Sequence, residues 1–513
     1  MVTRQMSGTL QPPNESDAPA DRLIGDRNLL VVSNREPYQH RYRDDGDGNK
    51  RIVVDEPIGG LTAGLDRVMQ RTGGTWIAWG DGDADPDVVN TANCVEVPPE
   101  DPQYTLKRVW LGEQEMREYY YGFSNQVLWP LCHDLVGKAN FEGSFWQRYQ
   151  AVNETFTDIV TDRADDDTVV WFQDYHLALA PRMAREELPE ATFLQFWHIP
   201  WPAWDTFRVC PQRRELLEGL LGNDLLGFHI ERYCQQFLDC VEGCLDDVVV
   251  DREAGTVHYD ERTTRVAAFP MNVDADRIER LSNTCDEDAW ADFREKYGVG
   301  DDVKVAIGVE RLDYTKGIPE RLDALETFWD KHPEWRGKLT YVQKASKSRI
   351  EIPEYQTLVE TVHEKIAHLN DRFGTDDWTP VVYVDEMLSD EELYGLYRHS
   401  DLALVTPIRD GMNLVAKEYV AAQTGDAGVL LLSELAGADE SLGGDALTVE
   451  PYDTAAFADQ IVRALTMPTE ERVRRMTRLR ETVGTNDLEA WIGALFEAVR
   501  AQSVSTEGFE TDE

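Results

Sequence analysis

The chain has 513 residues, 96 of them acidic and 51 basic, for a formal net charge of −45. The acid runs along the whole length, which excludes a nucleic-acid binder working through a general basic surface. A hydrophobic share of 42% gives a globular chain large enough for two or three cored domains, and no apolar run approaches the roughly 20 residues that span a bilayer.

Residues 1–26 are polar, contain Pro12-Pro13 and lack an apolar signal core, so they read as a disordered tail on a cytoplasmic protein. Leu29-Leu30-Val31-Val32 predicts a buried strand opening onto Ser33-Asn34-Arg35. Gly59-Gly60-Leu61-Thr62 precedes a helical pattern and can bring backbone close to a phosphate. It lacks the G-x-G-x-x-G spacing of a dinucleotide site, and a simple turn is the alternative. Asp81-Gly82-Asp83-Ala84-Asp85 has the look of a calcium loop. Pro86 stands where that loop needs Gly, and Ala92 where it needs Glu, so it reads as a solvated acidic loop. Tyr119-Tyr120-Tyr121-Gly122-Phe123 through Trp129 is an aromatic cluster, either a stacking platform for a sugar ring or core.

Further strands are predicted at 169–172, 192–196 and 224–228. The first opens onto Gln173-Asp174-Tyr175-His176-Leu177, the second onto Trp197-His198-Ile199-Pro200, the third onto His229. Asp174, His176 and His198 suit sugar-hydroxyl binding or acid–base work. A helix N-cap and hydrogen-bonded core histidines are the plainer alternative.

The strand predicted at 303–309 opens onto Glu310-Arg311-Leu312-Asp313-Tyr314-Thr315-Lys316-Gly317. Arg311 and Lys316 could clamp the two sides of a diphosphate, or sit in surface salt bridges. Strands follow at 339–343, leading to Lys344 and on to Arg349, then at 381–384, 402–405 and 428–432. The strand at 402–405 opens through Pro407-Ile408-Arg409-Asp410-Gly411-Met412-Asn413-Leu414 onto a helix at 415–422. Unpaired N–H groups at that helix start can hold an anion. Glu418, one turn in, suits sugar hydroxyls. A phosphate cradle beside a hydroxyl acceptor is what a nucleotide-sugar needs.

Apolar runs alternating with helical stretches predict parallel α/β sheets. Most conspicuous polar residues follow a strand, where open α/β sheets bind ligands. Two such series flank Phe269-Pro270-Met271-Asn272-Val273. The reading is therefore two doubly wound, Rossmann-like domains facing across a cleft, at 27–270 and 271–485. A last helix at 486–503 could belong to either, with packing back on the N-terminal domain the arrangement expected. Seven cysteines without a Cys-x-x-Cys pair read as reduced core thiols, with Cys240 and Cys244 at i, i+4 the one arrangement that could ligate a metal. No G-x-S-x-G elbow or H-E-x-x-H zinc site occurs.

Taken together, Ser33-Asn34-Arg35, Gly59-Gly60-Leu61, the 120–129 segment, Gln173 to Leu177, His198-Ile199-Pro200, Glu310 to Gly317 and Arg409 to Tyr419 resemble one family. The chain is similar to the trehalose-6-phosphate synthases, retaining glycosyltransferases of family 20 with the GT-B fold. The resemblance covers most of residues 28–500. It implies transfer of glucose from a nucleoside diphosphate glucose to glucose 6-phosphate. It implies that Arg311 and Lys316 hold the donor diphosphate, with Gly60 and the amides of Asn413, Leu414 and Val415. Glu418 would take the ribose hydroxyls. Asp410, Gly411 and Met412 would line the donor glucose, with His198 near its O6. Arg35, Tyr120, Trp129 and Arg349 would hold the acceptor phosphate, and Asp174 would orient the acceptor sugar. The catalytic set would be Arg311, Lys316, Asp174, His198 and Asp410.

The implied reaction uses no enzyme nucleophile. The acceptor hydroxyl attacks the face the diphosphate leaves, and a diphosphate oxygen takes the proton. No cofactor or metal is required, with stimulation by magnesium left open. A separate phosphatase is expected downstream, and a homo-oligomer is compatible. Two features depart from the family pattern: Ile-Pro-Trp-Pro after His198, and Lys344-Ala345-Ser346-Lys347-Ser348 before Arg349. The related glucosylglycerol-phosphate synthases, with glycerol 3-phosphate as acceptor, are the nearest rival. A non-catalytic sugar-phosphate sensor is the rival of another class. The acid excess suggests a halophile, where concentrated salt screens self-repulsion.

Overall fold

Nine fully or nearly fully buried apolar runs become parallel strands, because a strand covered on both faces needs apolar side chains on both. A computed structural model describes residues 27–45, 49–56, 60–285, 287–425, 428–485 and 487–507. The proposed tail, 1–26, and Gly59 lie outside the described residues. Among the described residues no helix is long and apolar enough to cross a membrane.

The first sheet has ten strands. Its order is Val249–Asp251, Thr256–Tyr259, Arg262–Ala268, Leu225–Phe228, Thr192–Phe196, Val169–Gln173, Leu29–Arg35, Thr75–Trp79, Tyr104–Val109, Cys94–Val97. Its centre is parallel, and both edges end in antiparallel pairs. From Leu29–Arg35 the chain first builds outward on one side, then returns through Val169–Gln173 to build the other. The order therefore reverses between those two strands. Arg35 closes one and Asp174 follows the other.

The second sheet has six strands, all parallel, in the order Val381–Val384, Leu339–Ser346, Lys304–Arg311, Leu402–Val405, Val429–Ser433, Leu447–Val449. In chain order that is 3-2-1-4-5-6, the doubly wound dinucleotide pattern. Its order reverses between Lys304–Arg311 and Leu402–Val405. Arg311 and the 407–414 turn lie at that point. Each sheet thus offers a ligand crevice outside its strand ends. The architecture is GT-B, two Rossmann-like halves.

The C-terminal helix, Leu488–Glu507, packs on the first sheet. Trp491, Ile492, Leu495, Phe496 and Val499 share a core with Leu29, Val31, Trp171 and Phe196. The indole N–H of Trp491 donates to the Phe269 carbonyl at 3.0 Å. Truncating so buried a Trp to Ala typically costs about 3–5 kcal/mol, so this helix fastens the chain's end to the opposite half.

Two local features differ from the sequence reading. The 81–85 loop is not simply solvated. Asp83 is exposed, but Asp85 is fully buried. Its carboxylate accepts from Gly82 N–H at 2.6 Å and His40 N–H at 2.8 Å, and pairs with buried Arg108 at 2.7 Å. Arg108 also pairs with Glu36 at 2.8 Å. A pairing across long sequence separation leaves no local trace. The aromatic cluster, in turn, is both core and cleft wall. Met116–Leu128 winds as a wide π-helical turn. The Asn125 side chain donates to the Tyr120 carbonyl at 2.7 Å and Gln126 to that of Tyr121 at 3.0 Å, satisfying acceptors within the turn. Such turns often mark functional sites.

Candidate functional site

The donor-side turn is held from beneath. Arg321 is fully buried and pairs with Glu310 at 2.5 Å. It also donates to Thr406 Oγ1 at 2.9 Å and to the Lys316 carbonyl at 3.2 Å, tying together the two loops that follow the reversal strands. Gly317 takes φ +66°, and a Cβ there would lie 2.2 Å from the Thr406 carbonyl oxygen. Only glycine fits that contact. Lys316 is thereby brought to Asp410, with Nζ 2.5 Å from Oδ2. Asn413 Nδ2 donates to the same carboxylate at 3.0 Å. Burial pushes the Asp410 carboxyl up, but Lys316 outweighs it and holds the group below its ordinary range.

Asn413 has φ +77° and caps the helix Leu414–Ala422, accepting from Ala416 N–H at 3.4 Å. The first-turn N–H groups of Leu414 and Val415 have no intrahelical acceptor by the geometry of a helix start, the arrangement from which anions are commonly held. Glu418 lies one turn in and lines a cavity of about 320 Å³ with Leu414, Arg277 and Tyr394. Burial and nearby Asp390 lift its carboxyl to about 7, against a lowering contact from Tyr397. The helix beginning at Gly60 runs past the other wall of this cavity through Ala63 and Arg67. Met412 is in the core, 3% exposed.

Across the cleft, Arg35 donates to the Tyr120 hydroxyl at 3.0 Å. Burial raises the Tyr120 phenol, but Arg349 and Arg35 together bring it down to about 8. Tyr120 stacks on His176, ring centroids 5.8 Å apart. Arg349 comes from the second half and lies over the Trp129 ring at 4.1 Å, with Arg311 at 6.0 Å. Arg311 also reaches Ser348 Oγ at 3.3 Å.

Asp174 has φ +65° and no cap hydrogen bond from its side chain, so the N-cap alternative does not describe it. Its carboxylate accepts from His198 N–H at 3.2 Å. Burial lifts it to about 7, opposed by the His198 and Tyr175 amides, Arg349 and Arg311. His198 Nε2 lies 3.1 Å from Gln173 Oε1. Burial and neighbouring His229 hold its imidazole neutral, well below the usual range. The His198 carbonyl abuts Gly411, where a Cβ would lie 2.3 Å away.

The structure thus gathers Arg35, Tyr120, Trp129, Asp174 and His198 from one half against Arg311, Lys316, Arg349 and Asp410 from the other. Arg35, Arg311, Lys316 and Arg349 thus bring four cations to one cleft in a chain of net charge −45. Sequence reasoning missed several residues that close it. Asp313 and Tyr175 sit inside motifs already singled out. Tyr233, whose hydroxyl donates to the Asp410 carbonyl at 3.0 Å, bridges the halves without any local signal, and Arg409, quoted in the 407–414 turn, does so through an unforeseen pairing with Asp134 at 3.1 Å.

The family model described as Glycosyltransferase family 20 matches residues 27–501. An alpha,alpha-trehalose-phosphate synthase [UDP-forming] A from Dictyostelium discoideum is 36% identical across 96% of this chain, which spans 65% of that relative's length. The alpha,alpha-trehalose-phosphate synthase [UDP-forming] of Schizosaccharomyces pombe is 34% identical over 91% of this chain and 90% of its own length. A solved structure from E. coli bound with UDP-2-fluoro glucose superposes with TM-score 0.82 at 32% identity, covering 92% of this chain and 99% of that one. A Burkholderia xenovorans alpha,alpha-trehalose-phosphate synthase (UDP-forming) in complex with glucose-6-phosphate gives 0.80 at 30% identity, covering 92% and 100%. The doubly wound halves, the cations gathered at one cleft and these matches have one reading: the chain belongs to glycosyltransferase family 20.

Proposed function

We propose that this chain transfers glucose from UDP-glucose to glucose 6-phosphate, releasing UDP and forming α,α-trehalose 6-phosphate with retention. The observation that carries it is the facing of two cation sets across one cleft. Arg311, Lys316 and the Leu414 helix start form a diphosphate site, and Arg35, Tyr120 and Arg349 form a second anion site beside the Trp129 ring. The relatives' names, UDP-forming synthases, and the bound molecules of the two solved structures support the same pairing.

In this reading Arg311 and Lys316 stabilise charge building on the departing diphosphate, aided by the helix start. Glu418 takes the ribose hydroxyls. Gly411 and Asp410 bound the glucose, and neutral His198 offers a hydrogen bond to its hydroxyls. Gly60 and the amides of Asn413, Leu414 and Val415 complete the donor cradle. Asp174, poised near neutrality, orients the acceptor hydroxyl, whose proton passes to a diphosphate oxygen as the C–O bond forms on the face the diphosphate leaves. No metal is required, and added magnesium is at most stimulatory. We place the division at 27–270 and 271–485 and the enzyme in the cytoplasm, working ahead of a phosphatase that removes the product's phosphate.

A donor-by-acceptor matrix tests this: UDP-, GDP- and ADP-glucose against glucose 6-phosphate and glycerol 3-phosphate in high salt. Expected is UDP release dependent on glucose 6-phosphate, with an α,α-linkage by NMR. Higher kcat/KM with glycerol 3-phosphate would replace the reading by a glucosylglycerol-phosphate synthase. Binding of both substrates without turnover would replace it by a sensor.

A further inference from the structure

We propose that Asp313 is a positioning residue that sets which edge of the Arg349 guanidinium faces the acceptor, and so couples the donor turn to the acceptor phosphate. The proposal rests on Arg349 as the acceptor-phosphate ligand. Asp313 lies two residues past Arg311 on the same turn and is fully buried. One oxygen accepts from the Thr315 amide at 3.1 Å and hydroxyl at 3.0 Å, and from the Trp129 indole N–H, in the other half, at 3.3 Å. The other oxygen accepts from Arg349 Nη1 at 3.1 Å and the Tyr355 hydroxyl at 3.0 Å. One carboxylate thus fixes the donor turn, the Trp129 wall and Arg349 at once.

The guanidinium is oriented by this set. Nη1 is engaged by Asp313 and by the Tyr355 oxygen at 2.7 Å. Among the described residues Nη2 meets only the Tyr175 hydroxyl, at 3.3 Å, and that hydroxyl itself donates to Asn125 Oδ1 at 2.9 Å. Nε is buried and has no partner among the described residues. Arginine grips an oxyanion through two parallel N–H bonds. With Nη1 held away, the Nε–Nη2 edge is the pair left for a phosphate. Arg349 also carries φ +51°, a region a non-glycine residue enters at a cost, so the surroundings hold it there. A buried ion pair is a poor source of net stability. Orientation accounts for this one better.

The test compares wild type, Asp313→Asn, Arg349→Ala and the double variant in initial-rate kinetics. Asparagine keeps the shape and the Thr315 acceptor but removes the charge that holds Nη1. Loss of one charge-assisted bond of this kind predicts a rise of about tenfold in KM for glucose 6-phosphate. KM for UDP-glucose stays within about twofold, and Asp313→Asn adds nothing in the Arg349→Ala background. Parallel rises in both KM values, an unchanged KM for glucose 6-phosphate, or a full effect in the Arg349→Ala background would each overturn the proposal. If Asp313→Asn does not fold, Tyr355→Phe takes its place, with a smaller rise in the same KM expected and no change decisive against it. Failure of wild type to use glucose 6-phosphate at all would instead sink the transferase reading.

Discussion

Gly411 is where the two halves touch backbone to backbone, and adding one methyl group there tests whether catalysis depends on that closeness. A Cβ on Gly411 would lie 2.3 Å from the His198 carbonyl oxygen and 3.2 Å from the carbonyl carbons of His198 and Ile199. A carbon normally approaches such an oxygen no closer than roughly 3.3 Å. The loops must therefore part by about 1 Å, and no flexible side chain is there to yield. Opening the cleft relieves the clash without disturbing either sheet, so the fold should survive. A displacement of about 1 Å between reacting partners costs on the order of 100-fold in rate. Gly411→Ala should lower kcat by that order while the melting temperature moves by only a few degrees, about 1 kcal/mol or less. The assay is UDP release at saturating donor and acceptor, with a thermal melt as control. A folded Gly411→Ala with kcat within about threefold of wild type would show that the close approach of 411 to 198 has no part in catalysis.

Other outcomes follow from the same geometry. Arg311→Ala and Lys316→Ala should each lower kcat about 100- to 1,000-fold, as loss of one aimed donor does, and Arg311→Lys should recover little. Lys316→Ala should also lower the melting temperature, because it strands the Asp410 carboxylate, only 13% exposed, whereas Arg311→Ala should not; equal melts for the two would contradict the pairing. Tyr120, brought down to about 8, is neutral below that pH and a phenolate above it. A phenolate repels the acceptor phosphate, so KM for glucose 6-phosphate should climb above about pH 8 and Tyr120→Phe should flatten that limb. The net charge of −45 predicts activity that rises with salt, since the Debye length falls from about 10 Å at 0.1 M to about 3 Å at 1 M. Full rate and an unchanged melting temperature at 0.1 M KCl would refute that.

The sequence by itself determined the class of fold, because buried parallel strands must be written as continuous apolar runs and their ends as turns of polar residues and glycine. Leu29-Leu30-Val31-Val32 and Leu402-Ala403-Leu404-Val405 are legible for that reason. So is the turn from Glu310 to Gly317, whose glycine is needed because a Cβ there would lie 2.2 Å from the Thr406 carbonyl oxygen. Local sequence also placed cations after strands, but not which loops share a crevice. That was decided by strand order, a property of long-range pairing: the reversals beside Arg35 and Asp174, and beside Arg311 and Asp410, put those residues at the mouths. Only the tertiary structure assigned the Leu488–Glu507 helix to the first sheet, through Trp491. Only it buried Asp85 against Arg108 and joined Asp313 to Trp129 and Arg349. A buried carboxylate is spelled like an exposed one, and what distinguishes it is a partner far along the chain that satisfies its charge.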